Sequence, residues 1–446
     1  MVSTNKKIVA YALLGTSAVA YAVLAYATPR SNFTQLLLLY AFVFFSYLYL
    51  VRQQNALYLS IAAALFFRLI FLLATPALSD DYFRFVWDGR LLTAGQNPYL
   101  YLPRFFVTPE GPQVPGISQE FFRSLNSPDY YSVYPPVSQA VFWLGVKLYP
   151  NSVLGSIVVM RVLILLFEAG NILLFWRLLR KMKLPDKQVL LYALNPLVIL
   201  ELTGNLHFEA LMIFFLLLAL YLLLYLRFAW SAIAFGLAVG TKLLPLMFLP
   251  FLFRKLGVGK FILYGAITLL TVVALVAPVL NGEVLYNIFS SVDLYFRKFE
   301  FNAGIYYLMR WIGFRFTGYN LIFVLGPLLS LLTLTGILAL ATVKRPENIR
   351  QLIGCMAAAL TLYLLLTTTV HPWYLTTLLA LTSLSYFRFA VIWSGFVILT
   401  YAAYRTSTYQ EDLRLVALEY SIVCVWLMIE LYRQRQHLQY WIFSRG

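Results

Sequence analysis

The sequence predicts an all-α polytopic membrane protein, a single helical bundle of about 12–14 membrane passes with a large first extracytoplasmic loop. Hydropathy is the first observation behind this. Hydrophobic residues make up 61% of the 446, and the mean hydropathy is +0.78. They gather in apolar runs of about 15–25 residues, the length that crosses a bilayer as a helix. Charge is the second observation. The 34 Lys and Arg outnumber the 18 Asp and Glu, for a net +16. The cations are scattered over the gaps between runs, as the positive-inside rule and anionic lipid headgroups require. A nucleic-acid-binding protein would concentrate them in one patch, so nucleic acid is not an expected partner and membrane lipid is.

In chain order, spans are expected at 8–27, 34–51, 56–74, 154–176, 188–203, 207–227, 261–280, 320–343, 351–370, 373–387, 389–404 and 413–432. The first is long and lacks a clear small-residue cleavage site, so it reads as a retained span. The stretch 229–254 keeps the alternation of basic loops only as a hairpin of two short helices turning near Gly240. The apolar piece 136–149 fits as a half-helix or surface helix, because a full span there would invert every later loop. The face carrying Lys6, Lys7, Arg52, the run at 177–187, Arg254, Lys255, Lys260 and Arg433 is then cytoplasmic. Residues 75–153 and 281–319 form large loops on the other side, within one domain covering 1–446. Cys355 and Cys424 lie inside apolar segments and read as core fillers, without a disulfide or zinc pattern.

The densest polar cluster lies just after the third span. Asp80, Asp81 and Asp88 stand with Arg84 and Arg90 within eleven residues of a chain that is only 12% charged. A carboxylate at the end of a span is partly desolvated and suits general-base work; ion pairing at a solvated loop start is the plainer role. Tyr82, Trp87, Tyr99 and Tyr101 have flat faces with polar tips, which suit sugar stacking and the membrane interface alike. Tyr134-Pro135-Pro136 stiffens the chain before a helix start.

The same face collects Glu201, Asn205, His207 and Glu209, either a polar pocket or a capped helix end. It also holds His371-Pro-Trp-Tyr374, where the imidazole can donate to a phosphate or satisfy a turn. Lys242 lies inside apolar sequence, a site candidate by default unless it snorkels outward. The aromatic and basic stretch from Asp293 through Arg297 and Asn302 to Tyr307 can cradle a lipid phosphate or form an interfacial helix. Arg161 and Glu168, seven apart on one helix face, read as an internal pair, with Arg68 in packing or lipid contact. No Gly-rich nucleotide loop or Ser-His-Asp arrangement is present.

The run Asp80-Asp-Tyr-Phe-Arg-Phe-Val-Trp-Asp-Gly-Arg90, then Gly95-Gln-Asn-Pro-Tyr99 and Tyr134-Pro-Pro136, resembles bacterial polyprenol-phosphate-mannose-dependent mannosyltransferases, integral-membrane GT-C enzymes of the glycosyltransferase 87-like group. The catalytic subunit of GPI mannosyltransferase I carries a similar motif. Asn195-Pro196, Asn205-Leu-His207-Phe-Glu209, Phe301-Asn302 with Tyr306-Tyr307, and His371-Pro-Trp-Tyr374 extend the resemblance over most of the chain. Many relatives have Asn-Asp after the mid-chain His, where this chain has Phe208-Glu209.

The resemblance implies transfer of a hexose, most often mannose, from a polyprenyl-phosphate donor to a lipid-linked or glycan acceptor outside the cytoplasm, without nucleotide, metal or other cofactor. Asp81 or Asp80 is then the expected base. The other candidate contacts to substrate are Arg84, Trp87, Asp88, Arg90, Tyr99, Tyr134, His207, Glu209 and Asn302, with Lys242, Arg297 and His371 as cations for the phosphate. A transporter or flippase of a lipid-linked sugar is the rival from another class, since broken helices and an intramembrane lysine suit it too.

Overall fold

The computed structural model describes residues 2–53, 57–343, 346–406 and 408–434, with side chains for all of these except 2–4, 292 and 294–297. The described residues are helical and connected by turns, with one isolated parallel bridge between Phe301 and Thr369. Among the described residues, seven helices are long and apolar enough to cross a membrane: Asn5–Tyr26, Phe33–Arg52, Val153–Lys181, Val258–Val279, Ile322–Val343, Ile349–Leu366 and Leu413–Arg433. An eighth is the pair Pro196–Gly204 and Glu209–Leu224, bent by 115°. The further passes expected from hydropathy fall on four shorter apolar helices, Leu57–Ile70, Phe228–Thr241, Tyr374–Ser383 and Phe389–Tyr404.

The short helices are short for a physical reason. Lipid demands an uninterrupted helix because nothing else satisfies the backbone, whereas a broken helix is tolerated inside protein. Tyr374–Ser383 is buried on every side from Leu375 onward, while the long Val258–Val276 helix buries only Tyr264 and Thr268. The stretch expected to span at 188–203 is four short pieces instead. Asn195 caps the piece starting at Pro196 by accepting from the Leu197 N–H at 3.0 Å, and the segment ends in a π-helical turn, Ile199–Gly204. The expected hairpin in 229–254 is present as Phe228–Thr241, a break at Lys242 and Leu243, and Leu249–Leu256. Pro136–Leu148 is a 13-residue helix, too short to span.

Two buried charge arrangements lock the bundle, and they differ from the expected Arg161–Glu168 pair. Glu168 instead takes Arg68, at 2.9 Å, with both side chains fully buried. Asn171 and the Tyr192 hydroxyl complete that carboxylate at 2.7 and 2.6 Å. Arg161 reaches no carboxylate. Its guanidinium donates to the carbonyls of Leu72, Ala74, Thr203 and Gly204 at 2.5–3.0 Å. Those are the open carbonyls at two helix ends, so Arg161 fastens the segment before Asp80 to the turn before His207.

Candidate active site

Helix Asp81–Thr93 starts at the bundle end where the chain leaves the third apolar segment. It lies tightly on Pro136–Leu148, because Gly89 stands where a Cβ would meet the Phe142 carbonyl oxygen at 2.5 Å. Its first turn, the loop 126–135 and the turns near 207, 242, 300, 371 and 404 surround a cavity of about 450 Å³. Asp81, Tyr134, His207, Glu209, Lys242 and His371 all line it. With Arg84 at its edge, seven of the expected site residues, from widely separated segments, therefore share one space.

Asp81 presents its carboxylate here. Oδ1 accepts from Asn126 Nδ2 at 2.6 Å, and Oδ2 is 3.9 Å from His207 Nε2. Asp80 does not line the cavity. It pairs with Arg30 at 2.5 Å, and the Arg30 guanidinium lies 4.7 Å from the centre of the Tyr404 ring. Lys242 ends the Phe228–Thr241 helix in extended backbone and is ion-paired with Glu209. Its ammonium sits 4.6 Å over the Tyr374 ring, and the side chain is one-third exposed and lines the cavity.

Four rings stack into one wall. His207 lies on Trp373 at 3.8 Å, Trp373 on His371 at 4.4 Å, and His371 on Phe301 at 4.9 Å between centroids. The Phe301–Thr369 bridge holds this column, through Phe301 N–H to the Thr368 carbonyl and Val370 N–H to the Phe301 carbonyl. Burial foremost, with Lys242 and His207 close by, pushes the His371 imidazole down to about 3. At neutral pH it is uncharged, so it can donate one hydrogen bond to a phosphate but no positive charge. Flat rings beside polar groups form a surface on which a sugar ring can lie.

The remaining expected site residues lie outside the cavity or only at its edge, held by the protein itself. Arg84 pairs with Asp88 at 2.8 Å and donates to the carbonyls of Ser127 and Tyr130; its side chain is buried at the cavity edge. Asp88 is fully buried and also accepts from Ser132 and Gln139 at 2.5 and 2.9 Å. Both fix the loop that walls the cavity. Trp87 is buried in a separate cluster with Leu91 and Phe106 and does not line the cavity. Arg90 donates to the Gly116 carbonyl at 2.6 Å and covers Phe121. The Tyr99 hydroxyl donates to the Tyr134 carbonyl at 2.5 Å.

Asn302 is buried, its φ of 45° in the left-handed region, and holds Glu411 through its N–H and Glu419 through its side chain. The side chain of Arg297 lies outside the described ones. Sequence reasoning missed Asn126 and Arg30, the partners that separate the roles of Asp81 and Asp80. Nothing in Leu125-Asn-Ser-Pro128 distinguishes Asn126 from any turn residue. Among the described residues, no three His, Cys, Asp or Glu side chains are grouped to hold a metal ion.

A polytopic helical bundle with carboxylates, a lysine and two imidazoles around a cavity at its end is built as a membrane enzyme acting on a polar substrate. Residues 6–256, more than half of the chain, match the model of the MptA_B family, alpha-(1->6)-mannopyranosyltransferase, N-terminal domain. The chain belongs to that family and is a glycosyltransferase of the mannosyl-transferring kind. No curated protein matches it. The match covers Asp81, His207, Glu209 and Lys242, and it gives the transporter reading no support.

Proposed function

We propose that the protein transfers a mannosyl residue from a polyprenyl-phosphate donor to a glycan or lipid-linked acceptor at the extracytoplasmic face, forming the α(1→6) bond that the family's description carries. The observation behind this reading is that Asp81 and Lys242 line one cavity together with aromatic rings. Asp81 takes the proton of the acceptor hydroxyl, whose oxygen attacks the anomeric carbon. The bond from that carbon to the phosphate oxygen breaks, and polyprenyl phosphate leaves carrying the extra negative charge. Lys242, positioned beforehand by Glu209 and Tyr374, meets that charge without reorganisation. Asp80 is excluded from the base role in this reading by its pairing with Arg30. The extracytoplasmic assignment is supported by the basic loops, which collect at the opposite helix ends.

The test uses purified protein in lipid nanodiscs with radiolabelled polyprenyl-phosphate-mannose and extracted membrane lipids. A new glycosidic product is expected. Asp81→Asn should lower its rate by about 10²–10⁴-fold, the usual worth of a positioned base, in protein that still folds and inserts. Full activity in that variant would sink the assignment of Asp81.

A further inference from the structure

Behind His207 lies a second carboxylate that the transfer reading does not use. Glu201 is fully buried and does not line the cavity. It sits in the π-helical turn Ile199–Gly204, and a π-turn is a frequent device for aiming a side chain at a site. The Tyr401 hydroxyl donates to its Oε1 at 2.7 Å and Asn205 Nδ2 to its Oε2 at 3.1 Å. Its one ion-pair partner among the described residues is His207, whose Nδ1 is 3.4 Å from Oε2.

The backbone cooperates in this placement. Nδ1 of His207 lies 2.9 Å from the Glu201 carbonyl oxygen. A carbonyl only accepts, so the imidazole proton belongs on Nδ1 and the lone pair on Nε2. Leu206, just before it, is held at φ 68°, a left-handed conformation that a bulky residue rarely adopts. Asn205 also accepts from the Leu78 N–H at 3.2 Å, which ties this turn to the segment leading into Asp81.

The other end of the ring is left unsatisfied. Nε2 of His207 is buried, has no hydrogen-bond partner, and faces Asp81 Oδ2 at 3.9 Å. With Asp81 ionised, two acceptors face each other across that gap. Once Asp81 has taken a proton, its new O–H is the donor that Nε2 lacks, and the 3.9 Å gap has to close by only roughly 1 Å for the two to hydrogen-bond. The pairing exists only after the acceptor hydroxyl has begun to lose its proton, so it favours the reaction over the resting state.

We propose that Glu201 is a positioning residue for the transfer, holding His207 so that its Nε2 receives the proton that Asp81 removes from the acceptor. This rests on Asp81 as the base. The proton passes from the hydroxyl to Asp81 and on to Nε2. The imidazolium formed is neutralised by Glu201, and the proton leaves with the phosphate product or with water as the site empties.

The experiment is a double-mutant cycle in nanodiscs with the same radiolabelled donor, together with the melting temperature of each variant. Glu201→Gln keeps the shape and removes the charge. It should lower kcat by about 10²-fold, as for other groups that orient a proton-accepting imidazole, while donor KM stays within threefold. Once His207 is Gln, the further change Glu201→Gln should cost nothing more, because Glu201 then has no imidazole to act through. Equal losses in both backgrounds, or wild-type kcat in Glu201→Gln, would overturn the proposal. If Glu201→Gln does not fold, His207→Gln alone decides: a comparable loss of kcat at unchanged KM supports the relay, and wild-type turnover ends it. An active Asp81→Asn removes the base itself, whereas an inactive Asp81→Asn beside an active Glu201→Gln removes only this inference.

Discussion

At the scale of single residues, environment separates side chains that share a chemical type. Asp80 and Asp81 are adjacent, yet Arg30 holds one while Asn126 leaves the other facing the cavity. The two cavity histidines divide in the same way. His207 has a carboxylate behind it, and His371 has a nearby lysine and is half-buried among aromatic rings. His371 therefore makes the fold sensitive to acid. Its imidazole ionises near 6.5 when unfolded and only near 3 when folded. Between those values the unfolded chain binds a proton that the folded one does not, so stability is lost as pH falls from about 6.5 toward 3. His371→Gln removes that term. Its melting temperature in detergent should fall less steeply with pH over this window than the wild type's, and parallel curves would show that His371 is not the group responsible.

At the scale of elements, the helix Asp81–Thr93 shows what a linear motif conceals. Residue types alone nominate the motif as a whole, but a helix sends its residues in several directions. Asp81 in the first turn faces the cavity, and Arg84 and Asp88, four apart, pair beside it. Trp87 and Arg90, three apart, face the loop that carries Gly116 and Phe121. Helical spacing makes this division readable, but the partners at 116, 127, 130, 132 and 139 are set by how a long loop folds back, which no local pattern encodes. Of the cavity-lining residues, Asp81, His207, Glu209, Lys242 and His371 were legible because these five sit at helix ends on the face with fewer cations. The Arg161 clamp was not, because its partners are backbone carbonyls, which have no sequence signature. Gly89 is where this helix can be tested. Alanine there meets the Phe142 carbonyl oxygen and the Val146 side chain, and such overpacking costs typically about 1–3 kcal/mol. Gly89→Ala should lower both the melting temperature and the transfer rate, since parting the helices moves Asp81. Unchanged activity with a lowered melting temperature would show that Asp81 is held from elsewhere.

At the scale of the whole molecule, the polar cavity and the basic loops occupy opposite ends of the same helices, and the proposed sidedness rests on that separation. The segments that line the cavity come near 81, 208, 242, 300, 371 and 405, each beside a helix end, and from the loop around 130. The intervening turns carry the run at 177–187, Arg254, Lys255 and Arg388. Cations resist translocation across the membrane, which is why the proposed topology keeps these turns in the cytoplasm and opens the cavity outside. A lipid-phosphate donor with its chain in the outer leaflet could then present its sugar to the cavity, whereas a nucleotide sugar made in the cytoplasm could not reach it. The sidedness is measurable with single cysteines in a background lacking Cys355 and Cys424. Glu120 and Lys187 are both exposed, one in the loop beside the cavity and one in a basic turn. Glu120→Cys should react with a membrane-impermeant maleimide in intact cells. Lys187→Cys should react only after permeabilisation. The reverse pattern would place the cavity in the cytoplasm, and the polyprenyl-phosphate donor would have to give way to one made there.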